Sequence, residues 1–345
     1  MLKNMTSIQV PHNRPSTSDK EIQAVTAVIK SGWIAQGKEV ESFENELCTY
    51  FGLESGHAVV VSSGTAALYL VLLALGAVQK RVGIPVYSCT SLLHAVSMVG
   101  AMPEYYDCLP ASPNADFVTD TNVDVDLVIA PSMYGIPCSI PNKIGVPVID
   151  DIAQALGATE NGRPIGLRGT AGICSFYATK MITAGGQGGL IISRDRSLID
   201  QIRDYRQFDG VVDGRNRFNF QLNDVSAAFG RVQLESLNNF IDRRLEIYER
   251  YKSWGIELLD GSDVLRTPVR YRAIHVSQCQ IETINKLRES GIRAIVPLEH
   301  HELLCTTRSF VHATRMCNTL VSIPIYPTMT NIEVDKVGSL LQAII

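Results

Sequence analysis

Six short segments built almost wholly of apolar residues punctuate the chain: Ala58–Val61, Val82–Val86, Leu127–Ala130, Val146–Asp150, Gly172–Tyr177 and Leu190–Ser193. Helical apolar periods separate most of them, for example Leu92, Leu93, Val96 and Val99. A strand with one solvated face alternates apolar and polar residues, whereas a strand apolar throughout needs cover on both sides. Short buried strands alternating with helices imply a largely parallel α/β layer.

Two helices are expected before the first strand. Ser18-Asp19-Lys20-Glu21 reads as a capping box, followed by Ile22, Val25, Val28 and Ile29 on one helical face and by Gly32 as a stop. The second helix carries Val40, Phe43, Leu47 and Tyr50 and ends at Gly52. After about residue 240 the texture changes to a charged amphipathic helix (Phe240, Leu245, Tyr248, Tyr251) followed by short elements. The expectation is a large domain over 1–240, with an N-terminal arm, and a smaller α+β domain over 241–345. No Pro/Gly/Ser-rich linker marks the boundary.

Composition narrows the partners. Net charge is −4 with no long basic run, so neither nucleic acid nor an anionic membrane is expected. The N-terminus lacks the apolar segment of a signal peptide, and Ala66–Val78 is too short to span a bilayer. Eight cysteines without CxxC pairs read as free thiols in a reducing cytosol, and a cytoplasmic protein is expected. His300-His301-Glu302 lacks i, i+4 histidine spacing, and no metal site is expected there.

Four features sit where an α/β sheet places function, at strand ends and helix starts. Val61-Ser62-Ser63-Gly64-Thr65-Ala66-Ala67 joins a strand to an apolar helix. Its unpaired amides suit an anion, although an ordinary capped turn would look the same. Val148-Ile149-Asp150-Asp151 ends a buried strand in two carboxylates, either a helix cap or a charge awaiting a partner. Because successive strand residues point to opposite faces, one of the two is expected to face a site. Ser175-Phe176-Tyr177-Ala178-Thr179-Lys180 sets a lysine just beyond an apolar strand, where burial could make it a nucleophile rather than a surface charge. Gly185-Gly186-Gln187-Gly188-Gly189 permits tight turns or close approach of another segment.

The order of these features resembles the DegT/DnrJ/EryC1/StrS family of pyridoxal-phosphate-dependent sugar aminotransferases. The likeness runs from Gly32-Trp33-Ile34-Ala35-Gln36-Gly37 through Val59–Gly76, Ile84–Asp107, Val148–Gly157, Ser175–Gly189, Phe218–Leu237 and Ser322–Thr330. It implies a fold-type I architecture, a three-layer α/β/α large domain with a small C-terminal α+β domain. It also implies pyridoxal 5'-phosphate as cofactor. By the same resemblance Lys180 is the Schiff-base lysine, Asp151 pairs with the pyridinium nitrogen and Gln154 contacts the phenolic oxygen. Gly64, Thr65 and Ser175 cradle the phosphate. Asn219 reaches the phosphate of a partner subunit, which implies a homodimer with shared sites. The implied reaction is ping-pong amino transfer from an amino acid, usually glutamate, to a nucleotide-linked ketosugar.

Three departures stand out. Cys89, in Tyr87-Ser88-Cys89, occupies the place where many relatives carry a ring-stacking aromatic residue. Gln221 stands where many have arginine, and Leu258–Ile284 is shorter than usual. Alternatives within the resemblance are a ketosugar dehydratase, whose members replace the lysine by histidine, and an aminotransferase acting on a keto-cyclitol. A transcriptional regulator would need a DNA-binding domain, for which the short N-terminal arm leaves no room.

Overall fold

The computed structural model describes residues 9–117, 124–140 and 145–345. Helix α1 (Asp19–Ser31) begins on the expected capping box: Glu21 accepts from the Ser18 N–H at 2.8 Å, and Gly32 ends the helix at φ 77°. Its buried face differs from the sequence expectation. Ile22 and Ile29 are exposed, while Glu21 and Val28 are buried. The cause is the carboxylate of Glu21, which is drawn inward by Ser18 and by Gln233 Nε2 at 2.5 Å. Helix α2 (Lys38–Tyr50) buries Val40, Phe43 and Leu47 as its period predicts.

The central sheet gathers β1 (Ala58–Val61), β2 (Arg81–Pro85), β3 (Met102–Tyr106), β4 (Leu127–Pro131) and β5 (Val148–Asp151). Beyond the short β6 (Thr159–Glu160) and β7 (Arg163–Pro164), it adds β8 (Ala171–Ser175) and β9 (Gly189–Ile192). The order is β1-β9-β8-β5-β4-β2-β3. From β8 to β3 every pairing is parallel, but β9 runs antiparallel to both β8 and β1.

Strand alternation explains the layers. Val59 and Val61 pack with α3 (Gly64–Ala74), α4 (Ser91–Met98) and α5 (Arg196–Arg206). Ala58 and Val60 face the other way, against Val40, Phe43 and Leu47 of α2 and Ala227 of α6 (Asp224–Glu235). Each fully buried Val, Leu or Ile contributes roughly 1.5–3 kcal/mol, which is why both faces stay covered. The two cores hold the C-terminal ends of β5 and β8 and the start of α3 in one fixed frame.

A third core lies around α7 (Leu237–Ser253) and includes Ile247, Tyr248 and Tyr251. Leu245, expected on the same face, points to solvent. After the short β10 (Arg266–Thr267), the antiparallel pair β11 (Ala273–Val276) and β12 (Leu320–Ile323) joins this core. Helices α8 (Gln280–Glu289) and α10 (Asn331–Ile344) also pack into it, with α9 (Val311–Thr319) leading into β12. Val10 is buried here as well, its carbonyl accepting from Arg293 N–H at 2.9 Å. All eight cysteines are unpaired. Among the described residues no helix is long and apolar enough to cross a membrane.

Candidate active site

The two carboxylates of β5 have opposite surroundings. Asp150 accepts from Arg168 Nη2 at 2.6 Å and from Gly166 N–H at 2.7 Å, on the face away from α3. It is fully buried and fully partnered. Asp151 is 4% exposed and, among the described residues, its carboxylate accepts only the Ala153 N–H, at 2.9 Å. Burial pushes its pKa up to about 6 even though that bond and the charge of Lys180 pull it down. A carboxylate buried this way is complementary to a cation brought from outside the chain.

Beside Asp151 the chain builds a cradle. Ser63 caps α3 by accepting from Ala66 N–H at 3.1 Å. The first-turn amides of Gly64 and Thr65 have no partner within the helix, so they and the helix dipole suit an anion. Ser175, the last residue of β8, closes the other side. A Cβ added at Gly64 would sit 2.9 Å from the Ser175 Cβ, and one at Gly189 would sit 2.2 Å from the Ser63 carbonyl. This close packing accounts for both glycines. Gly64→Ala is therefore expected to weaken cofactor binding roughly tenfold or more, comparable to one charge-assisted hydrogen bond. Equilibrium titration with pyridoxal phosphate measures it, and unchanged affinity would mean the cradle holds nothing.

Lys180 is half-buried at the end of the loop after β8, its ammonium 5.6 Å from the centre of the Tyr271 ring. Asn13 of the N-terminal segment donates to the Thr179 carbonyl at 3.2 Å and fixes that loop from the side. Gln154 accepts from the Tyr134 N–H at 2.9 Å. Tyr134 itself is held at φ 59°, and the next residue, Gly135, has room only for hydrogen, because a Cβ there would meet the Val269 carbonyl.

Gly64, Thr65, Asp151, Gln154, Ser175 and Lys180 all line one cleft of about 230 Å³. Cys89 lines it too, together with Met133, Tyr177 and Gln187. Met133 escaped the sequence reading because it lies in an irregular turn after β4 with no motif around it. Asn219 is the exception among the expected site residues. It is exposed, outside the cleft lining, and its Oδ1 accepts from Gln221 N–H at 3.2 Å. His300, His301 and Glu302 form a single 3-10 turn with no buried residue.

A lysine, an under-partnered buried carboxylate and a helix N-terminus thus converge on one cleft at the strand ends. Residues 15–342 match the DegT/DnrJ/EryC1/StrS aminotransferase family. The chain belongs to this family. It is a pyridoxal-phosphate-dependent aminotransferase, and its fold matches solved relatives over nearly its whole length. TlmJ from Streptoalloteichus hindustanus, an aminotransferase, is 25% identical with a TM-score of 0.88, covering 97% of this chain and 98% of that one. Spr1654 from Streptococcus pneumoniae, solved in PLP and PMP forms, is 21% identical in its PMP form, with a TM-score of 0.88 and 97% of both chains covered. The sugar aminotransferase CalS13 from Micromonospora echinospora is 21% identical with a TM-score of 0.86, covering 97% of this chain and all of that one (100%). The residues present fit the cofactor: a carboxylate without a cation, a neighbouring amine and a cradle that any Cβ would fill.

Proposed function

We propose that this aminotransferase carries the amino group of L-glutamate to a keto group of a nucleotide-linked sugar, in the cytoplasm and by a ping-pong cycle. The single observation that carries the site assignment is the pairing of Lys180 with the buried, under-partnered Asp151 in one cleft. When bound, pyridoxal phosphate supplies an electron sink that makes the carbon–hydrogen bond beside an amine acidic. Lys180 would hold the cofactor covalently, and its amine would serve as the proton carrier beside the reacting carbon. Asp151 keeps the ring nitrogen protonated by offering it an anion in a dry setting. Gln154, whose Oε1 accepts from the Tyr134 N–H and whose amide NH2 meets Met133 Sδ at 3.8 Å, would contact the phenolic oxygen. Gly64, Thr65 and Ser175 hold the phosphate. We place the division between the two domains near residues 240 and 241, within α7, where packing passes from the second core to the third.

The sugar acceptor is supported by the family and by relatives described as sugar aminotransferases, such as CalS13. A panel of nucleotide-linked ketosugars, offered to the purified enzyme with L-glutamate, tests it. Formation of an aminosugar with equimolar 2-oxoglutarate supports the reading. Conversion of a keto-cyclitol alone, or of none of the sugars, contradicts it.

Asn219 belongs to this proposal as a residue that completes the partner subunit's phosphate site in a homodimer. Its exposure and its absence from the lining of its own cleft support that role. Lys180→Ala and Asn219→Ala should each be impaired, and mixing them should restore activity in up to about a quarter of sites if subunits exchange randomly. Proven exchange without recovery would place Asn219 in its own subunit's site.

A further inference from the structure

We propose that a small cavity behind Lys180 binds a monatomic anion such as chloride, which ties the N-terminal segment to the lysine loop. The cavity measures about 10 Å³ and lies among the N-terminal segment, the lysine loop, α6, α7 and Pro327. Lys180 lines both this cavity and the cleft of about 230 Å³, so the two share the reactive lysine as a wall.

Charge in the cavity is one-sided. Arg14, Lys180 and Arg244 line it, and among the described residues no aspartate or glutamate does. Glu21, bonded to the lining residue Gln233 at 2.5 Å, is itself outside the lining. Arg14 is half-exposed and reaches Glu333 only at 3.9 Å. Arg244 is 2% exposed, and its Nη1 donates to the carbonyls of Ile325 at 2.8 Å and Tyr271 at 3.0 Å. Among the described residues no carboxylate pairs with it. Burial draws its pKa down to about 10, with Tyr271 opposing the shift and Arg272 adding to it. A buried cation without a counter-charge is costly, and an anion beside it removes that cost.

Two polar atoms are also left over. The buried Nε of Arg244 and the buried Oγ of Ser16 have no hydrogen-bond partner, and both residues line the cavity. Other polar side chains of the lining are engaged. Thr183 Oγ1 donates to the Phe176 carbonyl and accepts from the Gly186 N–H, each at 3.1 Å. Gln233 Nε2 donates to the Ser16 carbonyl at 2.7 Å, and Asn13 Nδ2 to the Thr179 carbonyl at 3.2 Å. Buried polar groups are nearly always satisfied, so two orphans on one cavity point to a shared occupant.

Size and charge select that occupant. A single water-sized particle needs roughly 10–15 Å³, so sulfate, phosphate and carboxylates are too large. Water would accept from the two orphans but would bring two hydrogens of its own to a wall of cations. A halide accepts from every side and brings none.

The test uses the loaded enzyme, whose cleft is already taken by the cofactor. Its melting temperature is followed as sodium chloride replaces sodium gluconate at constant ionic strength, since gluconate cannot enter the cavity. A saturable rise of roughly 2 °C is expected by about 100 mM chloride, and bromide should act alike. Ser16→Ala removes no hydrogen bond that the anion-free protein makes, because Ser16 Oγ has no partner. The variant should therefore melt with the wild type in gluconate. It should need roughly tenfold more chloride for the same rise, as loss of one charge-assisted hydrogen bond implies. Crystals grown in bromide should show an anomalous-scattering peak between Ser16 and Arg244. A rise that never saturates, or that Ser16→Ala leaves unchanged, overturns the inference. Density for water between Ser16 and Arg244, without a bromide signal, overturns it as well.

Discussion

Lys180→Ala is expected to abolish the covalent attachment of the cofactor and to slow amino transfer by roughly 10³-fold or more, since general acid–base help alone is worth about 10²–10⁴. The cradle of Gly64, Thr65 and Ser175, which we propose holds the phosphate, is untouched by the change, so the cofactor should still bind without being covalently held. Removing the ammonium also strips Asp151 of the nearby charge that lowers its pKa. The Asp151 carboxyl should then titrate still higher, and cofactor binding in the variant should shift in pH accordingly. Borohydride reduction of the wild-type enzyme, followed by peptide mapping, should place the cofactor on Lys180. A label on another lysine would overturn the assignment.

The second large effect is at Asp151. Asp151→Asn removes the anion that we propose keeps the ring nitrogen protonated, and the half-reaction with L-glutamate should slow at least a hundredfold. The same change should stabilise the cofactor-free protein at pH 8. With its pKa raised from 3.8 to about 6, the carboxyl suits the folded state while protonated below pH 4. As pH rises through 6 it must ionise in a buried place, at a cost of up to ~3 kcal/mol by pH 8. Asparagine carries no such cost. Melting curves at pH 4 and pH 8, without cofactor, should show the variant gaining only at the higher pH. Asp150→Asn is the contrast, because it takes from Arg168 its close, buried anion and leaves it only Glu160 at 3.9 Å. Breaking a buried pair typically costs about 3–5 kcal/mol, so this variant should melt early yet react normally while folded. Equal rate losses in both variants would show that the two faces of β5 have been misassigned.

These contrasts were partly visible in the amino-acid sequence, for physical reasons that differ by residue. All-apolar runs such as Ala58–Val61 announce two covered faces, and alternation along Val148–Asp151 already implies that Asp150 and Asp151 part company. Direction is not encoded in such a run, so the antiparallel β9 looked like its parallel neighbours. The edge strand β3, Met102–Tyr106, was missed because its half-exposed MPEYY lacks an apolar signature. On α1 the period pointed Ile22 and Ile29 inward, but the Ser18, Glu21 and Gln233 hydrogen bonds rotate a carboxylate there instead. In the cleft, Lys180, Asp151, Ser175 and Gly64 were found because their motifs are local. Tyr271 beside Lys180 and Asn13 on the lysine loop carry no local signal, since tertiary packing alone brings the segment before β11 and the N-terminal segment there.

This cleft is expected to strip an amino group from an amino acid and keep it on the cofactor. The most direct measurement is a single half-reaction: loaded enzyme mixed with L-glutamate, no acceptor present, and 2-oxo acid counted per subunit. One equivalent of 2-oxoglutarate per active site is expected, with no free ammonia and a matching shift in the cofactor's absorbance. Catalytic release of ammonia, or no 2-oxo acid from any amino acid offered to fully loaded enzyme, would contradict it.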